Sequence, residues 1–359
     1  VVVSADEDGE DVFDDALNDP FEEATKRFRC MGIVEEIQGT PNYMEDRHVC
    51  LNPDPYTVYK LGAMSMALTE AKTNPSPPVF EALYGVIDGH GGELIAESTF
   101  VDFPRLLTSH PTYVTDIDLA IRETCATMDN RYVSQGVVTL DQSGAVGTFI
   151  LVRDTTLIVC SVGDCRAVLS RAGKSIDLTN DHTLDNIVEH QRVKKTGAKI
   201  TNGRIYGDIA VTRSFGDHRH KAKTVRQFTQ PEPDGSSDEN MLDAIISVPE
   251  ISSRTIEHAD EFIIIASDGL WDVFKSQEAI DYVRALFTEY RSSSLTITRK
   301  DLRNACVKLM KAASKRGTRD NVTVCIVCLW CRIEDEDDDS DDLTEDIPLD
   351  GDMELTLEV

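Results

Sequence analysis

Acidic residues stand at the ends of apolar segments in four separate parts of this 359-residue chain. The four positions are Asp88 in YGVIDGHGG, Asp268 after EFIIIAS, Asp320 before NVTVCIV, and the adjacent pair Glu45 and Asp46 in NYMEDRHVC. Glycine follows both Asp88 and Asp268. A carboxylate that ends a buried strand, next to a glycine that permits close backbone approach, is suited to holding a ligand.

Carboxylates gathered at one edge of a sheet would repel one another strongly unless a cation lay among them. All of them are hard oxygen donors, and neither a histidine pair nor a cysteine quartet accompanies them, so Mg²⁺ or Mn²⁺ is favoured over Zn²⁺. A single aspartate at a strand end is more often a turn or cap residue. Four such positions in one chain favour a shared metal centre.

His90, two residues after Asp88, is a candidate general acid. Its unperturbed pKa of about 6.5 suits proton donation near neutral pH. A lone histidine is more often structural, so this interpretation depends on the neighbouring acids.

The elements that would position these residues are short strands and two blocks of helices. The apolar or β-branched runs that predict strands are Gly147–Val152, Thr156–Ser161, Arg166–Ser170, Glu261–Ser267 and Asn321–Trp330, with a hairpin at Arg153–Asp154. The predicted helices are Glu93–Leu107, Asp116–Tyr132 with Thr115 as N-cap, Gln277–Tyr290 and Lys300–Lys315. Grouping of strands with strands and helices with helices predicts an α+β layered fold rather than alternating βαβ units.

Charge divides the chain into one domain and two acidic tails. Residues 1–20 hold 8 carboxylates and residues 333–359 hold 14, without any Lys or Arg, which leaves about −6 of the formal net charge of −28 for residues 21–332. Such runs repel themselves, so we expect both tails to be disordered. Residues 21–332 are expected to form the catalytic domain, with insertions near 52–79 and 218–247.

Composition also limits partners and location. The acidic balance disfavours nucleic-acid binding, and no apolar stretch is long enough to span a membrane. Nine cysteines without disulfide-framework spacing fit a reducing compartment, cytoplasmic or nuclear. We expect a monomer, and the acidic charge of the body and of both tails favours basic sequences in a macromolecule that it acts on.

Six motifs in order, QGTPNYMED, YGVIDGHGG, VGDCRAVL, VTRSFGD, ASDGLWDV and TRDNVTV, resemble those of the metal-dependent serine/threonine protein phosphatases of type 2C. The resemblance extends over residues 33 to 330. It implies two packed antiparallel β-sheets flanked by helix pairs, an α-β-β-α sandwich, with a two-metal centre at one end. Hydrolysis would then use a metal-activated water and no protein nucleophile.

The resemblance also implies roles for individual residues. Asp88 would bridge two Mg²⁺ or Mn²⁺ ions, and the carbonyl oxygen of Gly89 would bind one of them. The other matched positions are Asp268 and Asp320 on the second metal, Glu45 and Asp46 as ligands or partners of ligands, and Asp164 and Asp272 at a weaker third metal site. His90 would protonate the leaving serine or threonine oxygen.

Two departures from the family pattern favour a second hypothesis, a catalytically weak scaffold that keeps the fold and binds a phosphoprotein. Pro41 stands where the family carries an arginine that grips substrate phosphate, and SGAVG, Ser143–Gly147, lacks the usual threonine. Arg213 is the preferred substitute for the missing arginine. Arg47 is less suitable, because strand alternation should turn it away from Asp46.

Other motifs offer weaker alternatives. CSVGDCR, Cys160–Arg166, spells the C-x5-R signature of cysteine-dependent phosphatases, but a valine precedes the cysteine and the arginine opens a strand. Cys325, Cys328 and Cys331 lie three residues apart, so neighbours on a strand face opposite sides and core packing is favoured over zinc. DIDLA, from Asp116, opens a helix, which favours capping over an aspartyl-phosphate.

Overall fold

The computed structural model describes residues 30–41, 43–51, 81–221, 243–293 and 297–329. The expected acidic tails, 1–20 and 333–359, and the insertion at 52–79 lie outside these residues. So does most of the insertion predicted at 218–247.

The described chain forms strands and helices in the predicted blocks. The strands are β1 (Met31–Ile37), β2 (Arg47–Leu51), β3 (Glu81–His90), β4 (Gly144–Arg153), β5 (Thr156–Val162), β6 (Arg166–Arg171), β7 (Lys174–Asp177), β8 (Ile200–Thr201), β9 (Arg204–Ile205), β10 (Phe215–Gly216), β11 (Glu250–Thr255), β12 (Asp260–Ala266) and β13 (Val322–Cys328). The helices are α1 (Leu94–Thr108), α2 (Ile117–Thr139), α3 (Ile187–Lys195), α4 (Asp268–Trp271), α5 (Ser276–Ser293) and α6 (Arg299–Lys315), with a 3₁₀ turn at His218–His220.

The five strands and four helices predicted from the sequence are confirmed, but the boundaries predicted for α2 are wrong at both ends. Thr115 is not the N-cap of α2, because the Asp116 side chain accepts the hydrogen bond from the Leu119 amide. The helix also continues beyond Tyr132 to Thr139 and ends on Leu140 with a left-handed φ of 62°.

Two antiparallel sheets form the centre of the molecule. One has the strand order β1-β13-β12-β6-β7, and the other has the order β11-β5-β4-β3-β2, with β10 added beside β4. Alternating side chains place Cys325 between the sheets and Cys328 on the opposite face of β13, as the spacing predicts.

Three apolar layers hold the sandwich together. One lies between the sheets and includes Tyr84, Ile150 and Ile263. A second joins the β1-to-β7 sheet to α5 and α6, and a third joins the other sheet to α1 and α2. The structure therefore confirms the α+β class and the α-β-β-α order of layers. Among the described helices, none is both long and apolar enough to cross a membrane.

Strand register brings the acidic segments to one rim of this sandwich. Arg47 pairs with Ile87, so the start of β2 lies beside the end of β3. In the other sheet Ala266 pairs with both Val324 and Arg166, which gathers the end of β12 with the starts of β13 and β6. Residues just outside these strand ends, far apart in sequence, become neighbours.

Candidate active site

Asp46 connects the two sheets at the rim. Its Oδ2 accepts hydrogen bonds from the Thr323 hydroxyl at 2.7 Å and the Ser267 hydroxyl at 3.0 Å, and the residue is 1% exposed. Ser267 Oγ in turn accepts from the Thr323 amide. The carboxylate is therefore held by side chains of β13 and of the β12–α4 junction.

The glycines that follow Asp88 and Asp268 permit close backbone contacts at the rim. A Cβ on Gly89 would lie 2.6 Å from the carbonyl oxygen of Glu45, and one on Gly269 would lie 2.0 Å from that of Asn321. Both separations are too short for any side chain. Each glycine lets its neighbouring aspartate sit against the segment that carries another acid.

The pKa values of the rim aspartates are raised by removal from water and by one another's charge. Burial, assisted by the charges of Asp268 and Asp320, raises the pKa of Asp46 to about 7. Burial and neighbouring aspartates raise the pKa of Asp164 to about 7 and that of Asp268 to about 6. The pKa of Asp88 is raised well above its ordinary value, by burial and then by the charges of Asp46, Asp268, Asp164 and Asp320. These carboxylates form one electrostatic group, as the sequence predicts.

Two buried oxygens of this group, Asp46 Oδ1 and Asp268 Oδ1, have no hydrogen-bond partner among the described residues. Orphaned buried carboxylate oxygens are costly, and a cation would satisfy them while relieving the mutual repulsion. As the side chains stand, no three His, Cys, Asp or Glu groups in the described ranges lie close enough together to chelate one ion. The rim is thus a set of adjoining oxygen donors suited to Mg²⁺ or Mn²⁺, rather than a closed coordination shell.

The remaining predicted ligands lie around this group. Glu45 Oε1 accepts from the Gly92 amide at 2.7 Å, which ties it to the loop after β3. Asp320 is exposed, and its Oδ1 accepts from the Asn321 amide. Asp272 follows α4, and burial together with the charges of Asp320 and Asp181 raises its pKa.

His90 lies at the end of β3 and pairs with an acid that the sequence analysis did not single out. Its Nε2 is 2.9 Å from Oδ2 and 3.0 Å from Oδ1 of Asp217. Burial alone would lower the pKa of His90, but the hydrogen bond and charge of Asp217 outweigh it and the pKa is raised. The imidazole side chain remains 35% exposed, whereas Asp217 is 4% exposed.

Arg213, predicted to contact substrate phosphate, is instead committed to a buried ion pair. Its Nη2 donates to Glu189 Oε1 at 2.6 Å and its Nη1 to the Val248 carbonyl oxygen. Glu189 also accepts from Arg192 and Thr212. These contacts favour a structural role for Arg213.

Arg47, the second candidate, is also engaged. Its guanidinium donates to the backbone oxygens of Met44 and Asp46 and to the carboxylates of Glu93 and Glu97. Pro41 lies in the turn before β2 and accepts a hydrogen bond from the Gln38 side chain. In the conformation described, both arginines donate to protein oxygens, and the phosphate-binding role of Arg213 stays a prediction.

The cysteine alternatives find no support. Cys160 lies in the middle of β5 and is 2% exposed. Arg166 lies at the start of β6, and its guanidinium donates to the carboxylate of Asp181. Neither can form a phosphate-binding loop with a thiolate. Cys331, the third cysteine of the zinc alternative, lies outside the described residues.

Sequence reasoning missed three contributors to the rim. The negative charge of Asp181 raises the pKa of Asp164 and that of Asp272. The hydroxyls of Ser267 and Thr323 donate hydrogen bonds to Asp46. Their residue types carry no metal signal. Asp217 was visible in VTRSFGD, where only the arginine attracted attention.

Comparison with known proteins agrees with this geometry. The sequence profile described as Protein phosphatase 2C matches residues 34–322. The chain is 30% identical over 291 residues to "Probable protein phosphatase 2C 27" of Oryza sativa subsp. japonica, covering 80% of this chain and 72% of that protein. It is 32% identical over 295 residues to "Probable protein phosphatase 2C 22" of Arabidopsis thaliana, covering 81% and 66%.

Solved structures show the same fold. The serine-threonine phosphatase 2C from Toxoplasma gondii superposes with a TM-score of 0.57 at 17% identity, covering 83% of this chain and 94% of that one. This likeness shows that the chain has the two-sheet sandwich fold of that structure. The chain belongs to the protein phosphatase 2C family, and by that membership it is a protein phosphatase.

Proposed function

We propose that this chain hydrolyses phosphoserine and phosphothreonine in proteins, with two Mg²⁺ or Mn²⁺ ions and room for a weaker third. The observation that carries the proposal is the acidic group at the rim, where the buried oxygens Asp46 Oδ1 and Asp268 Oδ1 have no partner in the described part of the chain. Bound divalent ions would activate the attacking water and neutralise charge on the phosphoryl group.

The chain's own residues supply the rest. Asp88, Asp268 and Asp320 would hold the ions together with the Gly89 carbonyl oxygen, and Asp164 and Asp272 would complete the weaker site. Asp46 and Glu45 position this group through their contacts with Thr323 and Gly92. His90 gives a proton to the leaving alcohol oxygen.

A metal-titrated turnover assay tests this function. We expect hydrolysis of a phosphothreonine peptide only after Mn²⁺ or Mg²⁺ is added to chelator-treated protein, and its loss in Asp88→Asn and Asp268→Asn. Cys160→Ser is the matched control and should keep its activity. Turnover that resists EDTA but disappears in Cys160→Ser would overturn the proposal in favour of thiol chemistry.

The weak scaffold stays a second candidate, because Pro41 offers no charge and both Arg213 and Arg47 are engaged elsewhere. It predicts tight binding of a phosphopeptide with negligible turnover even in saturating Mn²⁺.

The free thiols of all eight described cysteines support a cytoplasmic or nuclear location.

A further inference from the structure

The contact between His90 and Asp217 is built by several elements rather than being a chance meeting of surface groups. Asp217 follows the short strand β10 with a left-handed φ of 51°. Its amide donates to the Ser143 carbonyl oxygen, and its Oδ2 accepts from the Ser214 hydroxyl at 2.5 Å. The carboxylate therefore has a single position, directed at the imidazole.

A buried ion pair supports the segment that carries Asp217. Lys221 Nζ donates to Asp129 Oδ1 of α2 at 2.7 Å and to the Ser214 carbonyl oxygen at 2.8 Å. The same Asp129 oxygen accepts from the Gly216 amide at 2.9 Å. Lys221 is 1% exposed, which is unusual for a lysine. These bonds anchor the residues on both sides of Asp217 to the long helix α2.

Gly144 leaves the space that the contact needs. It pairs with His90 across β3 and β4. A Cβ at Gly144 would lie 2.3 Å from Asp217 Oδ2 and 2.4 Å from His90 Nε2. Any other residue would push the two side chains apart.

The geometry distinguishes the two ring nitrogens. Nε2 faces both oxygens of Asp217. Nδ1 has no hydrogen-bond partner among the described residues, and the ring is one-third exposed. A ring nitrogen held by a carboxylate fixes the orientation of the imidazole and leaves the other nitrogen for substrate.

We propose that Asp217 is a positioning residue that holds His90 through Nε2 so that Nδ1–H faces the leaving oxygen of the phosphoester. This inference rests on the proposed function. In the reaction, the oxygen of a water molecule bonds to phosphorus and the ester P–O bond breaks, its electron pair passing to the serine or threonine oxygen. That oxygen takes the proton from Nδ1, and the attacking water returns a proton to the imidazole or to solvent, giving alcohol and inorganic phosphate.

Substrates that differ in leaving group test this assignment. An alcohol leaving group needs a proton, whereas the acidic phenol of p-nitrophenyl phosphate leaves without one, so only the alcohol depends on an oriented acid. General acids contribute on the order of a hundredfold to ten-thousandfold. We expect Asp217→Asn to lower kcat on a phosphothreonine peptide roughly tenfold to a hundredfold, and kcat on p-nitrophenyl phosphate by less than about threefold.

Two variants guard against a folding artefact. Asparagine tolerates the left-handed backbone of Asp217, and circular dichroism with thermal melting checks that the protein is folded. Gly144→Ala removes neither functional group but separates them, and it should give the same substrate-selective loss. Glu123→Gln breaks a separate imidazole–carboxylate contact, that of Glu123 on α2 with His110 at 2.9 Å, and should affect neither substrate.

A measurement without turnover tests the same contact. In protein labelled with ¹⁵N-histidine, we expect the His90 signals, assigned with His90→Gln, to show a proton on a hydrogen-bonded Nε2. That Nε2 signal should shift in Gly144→Ala but not in Glu123→Gln. A wild-type Nε2 without a proton, or equal losses on both substrates in the folded variants, overturns the inference. Failure of the wild type on both substrates would instead count against the proposed function, while the resonance test still decides the contact.

Discussion

Thr323 in β13 and Asp46 before β2 are 277 residues apart, yet the Thr323 hydroxyl lies 2.7 Å from Asp46 Oδ2. The bond crosses from one sheet of the sandwich to the other. Asp46 Oδ1 is buried and has no hydrogen-bond partner among the described residues. One oxygen of the carboxylate thus joins the two sheets, while the other is left without a protein donor in the part of the chain that the structure describes.

The first prediction concerns the stability of the metal-free protein. A carboxyl whose folded pKa is raised binds more protons in the folded state than in the unfolded chain, so stability falls as pH rises between the two values. Asp46 and Asp164 have folded pKa values of about 7 and Asp268 of about 6, against an ordinary 3.8. We expect the Tm of chelator-treated protein to fall on the order of 5 °C from pH 5 to pH 8.

Added Mn²⁺ should restore the Tm at pH 8. Asp268→Asn removes one of the titrating groups, so it should raise the Tm of metal-free protein at pH 8 and reduce the gain from Mn²⁺. Asp208→Asn, at an acid with a 76% exposed side chain, is the surface control. A lower metal-free Tm in Asp268→Asn than in wild type would contradict this account.

A second prediction follows from the hydroxyls that hold Asp46. Thr323→Val keeps the shape of the side chain but removes the hydrogen bond, and loss of such a support to a metal-binding carboxylate costs roughly tenfold to a hundredfold in metal affinity. Isothermal titration with Mn²⁺ measures this directly. Thr124→Val is the matched control, because the buried Thr124 hydroxyl has no partner among the described residues and its loss should leave Mn²⁺ affinity unchanged.

The sequence predicted the layers and the acids of the rim because each depends on local pattern. Asp88 and Asp268 stand out as charges that end apolar runs, and the glycines after them mark close approach. The partners of those acids depend on tertiary pairing, which single residues do not reveal. Thr323 and Ser267 look like ordinary strand-end hydroxyls, and Asp217 looks like a turn residue, until the sheets bring them against Asp46 and His90.

Arg213 shows what a motif alone leaves open. An arginine in a motif near a phosphate site suggests a phosphate ligand, but a carboxylate that the fold brings within reach competes for the same guanidinium. Glu189, which is 1% exposed, lies in α3 and has no motif that links it to VTRSFGD. The sequence does not tell whether the Arg213 guanidinium pairs with phosphate or with Glu189, because that depends on contacts formed in the fold.

The third prediction tests that structural role. Arg213→Ala leaves Glu189 buried with one fewer cation, which should lower the free energy of unfolding on the order of 3 kcal/mol. Burial would raise the pKa of Glu189, but its bonds to Arg213, Arg192 and Thr212 lower it to about 2. The stability that ionised Glu189 contributes is therefore present above its ordinary pKa of 4.5 and is lost as pH falls toward 2. The difference in the free energy of unfolding between Arg213→Ala and wild type should accordingly shrink below pH 4.5.

Denaturant unfolding at several pH values measures this difference. Arg284→Ala, which breaks a half-exposed pair with Glu261, is the control and should cost less than about 1 kcal/mol. The KM of folded Arg213→Ala for a phosphopeptide should stay within about twofold of wild type, since its side chain is engaged away from substrate. A large rise in KM at unchanged stability would return Arg213 to the role of phosphate ligand.

The last prediction addresses Pro41. The Thr40 amide donates to the Arg319 carbonyl oxygen at 2.7 Å, and a Cβ on Gly39 would lie 2.1 Å from the Asp320 carbonyl oxygen, so the Pro41 turn lies against the segment that carries Asp320. An arginine there would reach the acidic rim. A charged hydrogen bond to phosphate contributes on the order of 1.5–3 kcal/mol, so Pro41→Arg should raise kcat/KM about tenfold or more if phosphate grip is limiting.

Arg319 is exposed, and its backbone carbonyl oxygen accepts from the Thr40 amide, so its side chain is a candidate to act in place of the missing arginine. Arg319→Ala should then lower kcat/KM more in the native background than in Pro41→Arg, whereas Arg213→Ala should have the same effect in both. Double-mutant cycles on a phosphothreonine peptide separate the two cases. Additive effects of Arg319→Ala and Pro41→Arg would show that Arg319 does not grip the phosphate, and no gain from Pro41→Arg alone would show that this grip does not limit the reaction.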